Sequence, residues 1–548
     1  MRKKQREKLK SPAAPATSSE ALFDRPSILW ILAIVLVSAA VYANVLDNSF
    51  VWDDEAQVVQ NTAIQHTGDI WHLFEGSTFA SHGSGSLKGQ YYKPLMSVGF
   101  MFAWAMGDGD AMPFHLMQVV IYTLNAIFVF FFFRRFFPRD LSGGLALFFL
   151  VCPLASETAR YVANYQDTLY FFFGIIAMDL LIYLENRWKA WVLYPLVAFC
   201  LLCALLSKET GALFLGVAFL YKAFFSRERF AGFVASLACA FGVYLYMRIG
   251  VAGMTIKHDD FLAPIGRTNL LERLQTIPKI WTYYVVNFVF PYDLGVSKHW
   301  VVRELTWPDF WLPLLVFLGF LVSILAMWWT NRTWRTTFFL FWFLAGMGLH
   351  SQFFPLDTTA ADRWFYFPVV GLMGLLTETA IRHRKPWMTS RPAIAFGLAV
   401  ILAMGVRTAV RNQDWQTGLE LFTRDLPYSP DSFELQNNVG TEMFRTGRVE
   451  EACPYFERST ELAPHWWTNW NNLGVCKQRA GDYGTALRYF DKALNNGHYY
   501  LAYVNIAGLL IGLGKQDEAR KFLREKGLVD YPNGPELQKF ARDLGMNP

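Results

Sequence analysis

Three observations predict an all-α chain in two parts: a polytopic membrane helix bundle of about eleven spans, then a soluble α-solenoid. Of 548 residues, 53% are hydrophobic and only 17% charged, with 49 Phe and 20 Trp, which is too apolar for an ordinary soluble domain. Apolar runs of near-spanning length recur between residues 27 and 410, and the loops joining them are alternately rich in Lys and Arg. After residue 430 the chain turns polar and repeats itself every 34 residues.

The N-terminus opens with Arg2, Lys3, Lys4, Arg6, Lys8 and Lys10, followed by Pro12, Pro15, Ser18 and Ser19. Residues 1–26 therefore read as a disordered basic cytosolic leader. No A-x-A cleavage site follows the first apolar run at 27–46, which reads as a retained span and not a signal peptide. Further runs fall near 114–136, 140–155, 161–183, 190–207, 210–225, 230–248, 309–329, 336–353, 364–381 and 392–410. Each is measured against ~30 Å of hydrocarbon, and 140–155 and 210–225 are short. With the basic N-terminus inside, the alternate loops carry Arg134-Arg135, Arg187/Lys189, Lys222/Arg227/Arg229, Arg332/Arg335 and Arg382/Arg384/Lys385/Arg391. All fall on the cytosolic side, as the preference for Lys and Arg inside requires.

Residues 276–291 are apolar too, but a span there would invert every later loop. Pro278, Pro291, Tyr283, Tyr284 and Tyr292 suit an interfacial or re-entrant helix on the outer side. The membrane domain is thus 27–410, with long outer loops at 47–113 and 249–308 and short outer turns near Glu157–Asp167, Lys208-Glu209 and Phe354–Arg363. A linker at 411–429 leads to the repeats at 430–548, also outside. The partners implied so far are a lipid bilayer and no nucleic acid, because a net charge of +5 is spread over short loops. The six cysteines form no CxxC or Cys/His cluster, so no structural zinc site is expected.

The repeat rests on matched positions. Gly440, Gly474 and Gly508 are 34 residues apart, as are Pro430 and Pro464, Gly447 and Gly481, Ala452 and Ala486, and Phe456 and Phe490. Trp470, Leu473 and Gly474 follow the W-x2-L-G spacing of the tetratricopeptide repeat, a helix–turn–helix unit. Small residues let its helices approach while aromatics fill the gap. Three repeats are expected, the third with Ala519 one position early and 534–545 as a capping helix. Such a module binds a protein or peptide, or serves as a rigid spacer. Cys453 and Cys476 lie on neighbouring helices outside the cytosol, which leaves a disulfide open.

The chemistry-bearing residues gather on the outer face. Asp53 and Asp54, in Phe50-Val51-Trp52-Asp53-Asp54-Glu55, form an acidic pair just beyond the first span. Carboxylates at that boundary can take a proton from an acceptor hydroxyl or hold a divalent metal. Glu157, in Ser156-Glu157-Thr158-Ala159-Arg160, is either a second site carboxylate or the partner of Arg160 at a helix end. Asp167 lies slightly deeper, where an acid is costly unless paired or used. Lys208 can hold a lipid phosphate, with Glu209 orienting it, or simply snorkel. Arg363 offers a phosphate fork that Asp362 can orient. Lys298 and His299 are weaker candidates in the long outer loop.

Phe50-Val51-Trp52-Asp53-Asp54, Tyr92-Lys93-Pro94-Leu95, Phe114-His115-Leu116, Ser156-Glu157-Thr158-Ala159, Leu206-Ser207-Lys208-Glu209-Thr210-Gly211 and Asp362-Arg363-Trp364-Phe365-Tyr366-Phe367-Pro368 occur in an order that resembles a known family. The chain is similar to the C-type integral-membrane glycosyltransferases and, more closely, to the transmembrane tetratricopeptide-repeat O-mannosyltransferases. The resemblance covers nearly everything past residue 27. It departs in carrying only three repeats, and in Lys93 standing where arginine is expected.

The resemblance implies transfer of a sugar from a polyprenyl-phosphate donor to an acceptor hydroxyl, that of protein Ser or Thr, on the extracytoplasmic or lumenal face, with inversion. Asp53 or Asp54 would be the base, and Lys208 and Arg363 would neutralise the leaving phosphate. Glu157, Asp167, Glu209 and Asp362 would complete the substrate site. The repeats would recruit a protein or peptide acceptor. The setting would be a bacterial inner membrane, or otherwise the endoplasmic reticulum. Two other readings stay open: a non-catalytic membrane scaffold whose repeats hold a partner, and a lipid-linked sugar flippase or transporter. The last would call for duplicated halves and midspan charges; the sequence has no clear duplication and few midspan charges, Asp179 being one.

Overall fold

Every apolar run named above is helical in the computed structural model, which describes residues 24–78, 91–254, 262–383 and 390–546. Most of the basic leader, the stretch from Ser81 to Gly89, and Arg384 and Lys385 lie outside the described residues. Among the described residues the chain is all-α with no strands, and an isolated antiparallel bridge joins Lys298 and Ala360.

Seven helices among the described residues are long and apolar enough to cross a membrane: Arg25–Val45, Ala111–Arg134, Val162–Leu184, Ala190–Ser207, Phe230–Val251, Trp307–Asn331 and Arg391–Gln413. The other four expected spans are helices of 13 to 16 residues, at Arg139–Val151, Ala212–Phe225, Trp334–Leu349 and Pro368–Arg382. At 1.5 Å per residue they reach roughly 20–24 Å, short of the hydrocarbon thickness. Proline and glycine set several of their limits: Pro138 precedes the first, Gly211 the second, and Pro368 opens the last. Of the eleven or so expected spans, seven thus have the length and apolarity of a full crossing among the described residues, and four are shorter helices packed among them. The bundle core is largely aromatic, with Phe132, Phe133, Phe136, Phe338, Phe339 and Trp342 interlocked at centroid separations of 5.0–6.4 Å.

The awkward segment forms the helix Leu270–Val289, opened by a capping box between Asn269 and Glu272. One face buries Ile280, Trp281, Tyr283 and Tyr284, while Leu270, Leu271 and Val289 are exposed. This two-sided helix is not among the seven apolar spans.

The C-terminal region forms paired antiparallel helices as the 34-residue period predicts, beginning with Phe433–Arg445 and Val449–Leu462, then Trp467–Arg479 and Tyr483–Gly497. The repeated glycines are required by close approach. A Cβ at Gly440 would lie 2.8 Å from the Phe456 ring, and one at Gly474 would lie 2.6 Å from Phe490. Cys453 and Cys476 are joined in a disulfide across neighbouring helices. The helix Pro535–Asp543 closes the stack with Leu537 and Ala541 buried.

The repeats are fastened to the bundle. Residues 418–425 form a helix whose Leu421 and Phe422 are buried. At the end of the last span, the Arg411 guanidinium donates to both Asp425 oxygens at 2.7 Å, to Asp414 at 3.0 Å and to the Leu294 carbonyl at 2.7 Å. Asp425 also accepts from the Val296 amide at 2.9 Å, so the outer loop shares the joint.

Candidate functional site

The two adjacent acids meet different surroundings. Trp52 adopts a left-handed backbone (φ 58°), costly for a non-glycine residue. Its indole stacks on Tyr161 at 5.5 Å and meets Phe422 edge-on at 6.3 Å, which holds the turn. That turn sends Asp54 inward. Asp54 is fully buried and accepts from the Val51 amide at 3.1 Å and the Ala163 amide at 2.7 Å. It therefore pins the 51–54 turn to the first turn of the third span. Asp53 stays half-buried at the surface of the same turn, and its amide donates to the Tyr161 hydroxyl at 3.2 Å. Burial, then the Glu434 charge, pushes the Asp53 carboxyl up to about 6, against the Tyr161 hydroxyl, Arg363 and Lys93.

The second turn resolves the alternatives for Glu157. It does not pair with Arg160, which donates to Ser156 at 2.8 Å and Asn412 at 3.3 Å. Glu157 instead accepts from the Arg363 amide at 3.0 Å, its guanidinium at 2.8 Å and Asn164 at 3.1 Å. Arg363 is therefore oriented by Glu157 and not by Asp362. Asp362 is buried and takes the Tyr283 hydroxyl, and its carboxyl is raised by burial and by Glu157.

Lys208 is likewise oriented by a partner other than the one expected. Its ammonium reaches both Asp167 oxygens, at 2.7 and 2.8 Å, while Glu209 pairs with Arg248 at 2.6 Å. Lys298 pairs with Asp293 and its backbone joins the 354–363 turn, so it serves the loop's structure. His299 lies 3.0 Å from Glu434.

Several members of this cluster escape sequence reasoning. Lys93 is buried over the Tyr91 ring at 4.4 Å, and burial lowers its ammonium to about 8. It lies within the charge field of Glu209, Lys208 and Asp167, and acts in turn on Asp53. Tyr161, Arg248 and Glu434 have no motif of their own. Glu434 reads as an ordinary acid in a helix's first turn. Among the described residues, no three His, Cys, Asp or Glu side chains converge as a metal-ligand set.

One end of the bundle thus carries a half-buried acid with raised proton affinity and several cations already oriented by carboxylates. No family model matches the chain, but curated relatives do. It is 23% identical over 474 residues to mouse protein O-mannosyl-transferase TMTC3, which covers 79% of this chain and 51% of that protein. The chain resembles the protein O-mannosyl-transferases. A Caenorhabditis elegans protein O-mannosyl-transferase is 22% identical over 461 residues (80% of this chain, 63% of the relative). Mouse TMTC4 is 22% identical over 508 residues (79% and 66%). The chain therefore spans about half to two-thirds of the length of these relatives.

Proposed function

We propose that this protein is a C-type membrane glycosyltransferase that moves a sugar from a polyprenyl-phosphate donor to a protein Ser or Thr hydroxyl on the extracytoplasmic or lumenal face. The observation that carries the reading is Asp53. It is a half-buried carboxyl raised to about 6, acted on by Arg363 and Lys93, at one end of a multi-span bundle. The activity for which the relatives are named, protein O-mannosyl transfer, agrees with it and suggests mannose as the sugar.

In this reading Asp53 is the base and Asp54 a positioning residue. The acceptor oxygen attacks the anomeric carbon as its proton passes to Asp53. The bond from that carbon to the phosphate oxygen breaks on the opposite side, and the electron pair leaves with the lipid phosphate. A carboxylate raised to about 6 is ionised near neutral pH and still a better proton acceptor than an ordinary one. Lys208 and Arg363 stabilise the departing phosphate. A guanidinium has five N–H donors, and Glu157 fixes its plane through Nη1, which supports a phosphate fork on the remaining edge. Glu157 and Asp167 hold the cations, while Glu209 and Asp362 brace the turns around them. The repeats, outside the membrane, recruit the polypeptide acceptor.

The test is reconstitution of the full chain in vesicles with labelled polyprenyl-phosphate mannose and an unfolded Ser/Thr-rich polypeptide. The expected result is label on protein that mild alkali releases by β-elimination. Label that never leaves the lipid, whatever the protein, peptide or glycan acceptor, contradicts the reading and favours a scaffold.

A further inference from the structure

We propose that Glu434, at the start of the first repeat helix, is a positioning residue whose carboxylate presents a fixed negative charge to Asp53 while latching the repeats to the long outer loop. The proposal rests on the reading of Asp53 as the proton acceptor.

The geometry comes from three elements. Ser432 caps the helix Phe433–Arg445 through the Leu435 amide at 3.2 Å, which sets Glu434 in its first turn. Glu434 Oε2 accepts from the Ser297 hydroxyl at 2.8 Å and lies 3.0 Å from His299 Nε2, both in the outer loop. The His299 ring packs on Phe433 with centroids 4.6 Å apart. Val51 and Tyr161, which flank Asp53, share one apolar cluster with Leu435 and Val439 of that same repeat helix. The long loop thus holds Glu434 directly, and the repeat helix that carries it shares an apolar cluster with the residues flanking Asp53.

A like charge beside a carboxyl raises its proton affinity, and Glu434 is the leading charge acting on Asp53. The other groups facing Asp53 are Asp54 on its own turn, Tyr161 and Arg363 from the bundle turns, and Tyr91 and Lys93 from the first outer loop. Glu434 itself stays ionised. Burial works to raise it, but His299, Ser297 and Arg363 outweigh burial and hold it below the usual range. The proton therefore goes to Asp53, and the repeats form one wall of the site.

The experiment uses the full chain in lipid nanodiscs. A diazo reagent that esterifies protonated carboxyls is applied across a pH series, and labelling of Asp53 is read by mass spectrometry. In Glu434→Gln, which keeps an acceptor for Ser297, the half-labelling pH of Asp53 is expected to fall by roughly half a unit or more. The acid limb of the transfer rate moves with it. Glu434→Asp keeps the charge and restores the wild-type midpoint. Glu451→Gln, on the exposed repeat surface beside Arg448, leaves it in place. A midpoint unmoved in Glu434→Gln overturns the role of Glu434. A wild-type protein that transfers nothing overturns Asp53 as base, while the labelling midpoint still reads the coupling.

Discussion

On the flank of the site built by the bundle turns, three cations each meet a carboxylate: Lys208 with Asp167, Arg248 with Glu209, and Arg363 with Glu157. Beside the repeats, an acid meets a like charge instead: Glu434 raises the proton affinity of Asp53. The first arrangement fixes donor directions before any phosphate arrives, so little reorganisation is needed when charge develops. The second leaves a carboxyl whose charged form is disfavoured, which suits a group that must accept a proton. In the proposed reaction the first group would supply orientation and the second basicity.

The contrast can be broken from either side. Asp53→Asn removes the acceptor, and initial rates of labelled transfer should fall by about 10³-fold while donor binding persists. Next come the cations. Lys208→Gln or Arg363→Gln should slow transfer by about 10²-fold in the same assay. The Arg363 variant also strands Glu157, buried to 1% exposure, and should lose on the order of 3 kcal/mol in a thermal-unfolding assay. Asp54→Ala acts more weakly and through structure. It leaves the Val51 and Ala163 amides without their acceptor, lowers stability by about 1–3 kcal/mol, and slows transfer by loosening the Asp53 turn. The smallest effect on transfer is expected from Cys453→Ser. It opens a cross-link spanning 23 residues and weakens the repeats by on the order of 2 kcal/mol in denaturant titration, with the bundle's rate nearly unchanged.

Much of this architecture is legible in the chain because it is written in local periodicity. Apolar runs become helices whatever surrounds them, and the 34-residue period carries its own packing rule in Gly440–Phe456 and Gly474–Phe490. Span count is less legible, since a run such as 140–155 is cut to Arg139–Val151 between Pro138 and Pro153. Charge partners are least legible. Local spacing offers Glu157 the nearby Arg160, yet its partner is Arg363, 206 positions away. Asp53 and Asp54 look alike in sequence because what separates them, the amide of Ala163, is 109 positions from Asp54. Glu434 could be found only by folding the repeats against the outer loop.

The most direct test of the central claim is the pH dependence of single-turnover transfer in wild-type, Asp53→Asn and Asp54→Asn proteins. Only an ionised base can take the acceptor proton, so the wild-type rate should fall as pH drops through about 6, where Asp53 gains its proton. The same limb should persist in Asp54→Asn and vanish from the residual rate of Asp53→Asn. A limb near pH 6 that survives unchanged in Asp53→Asn would contradict the assignment of Asp53 as the base.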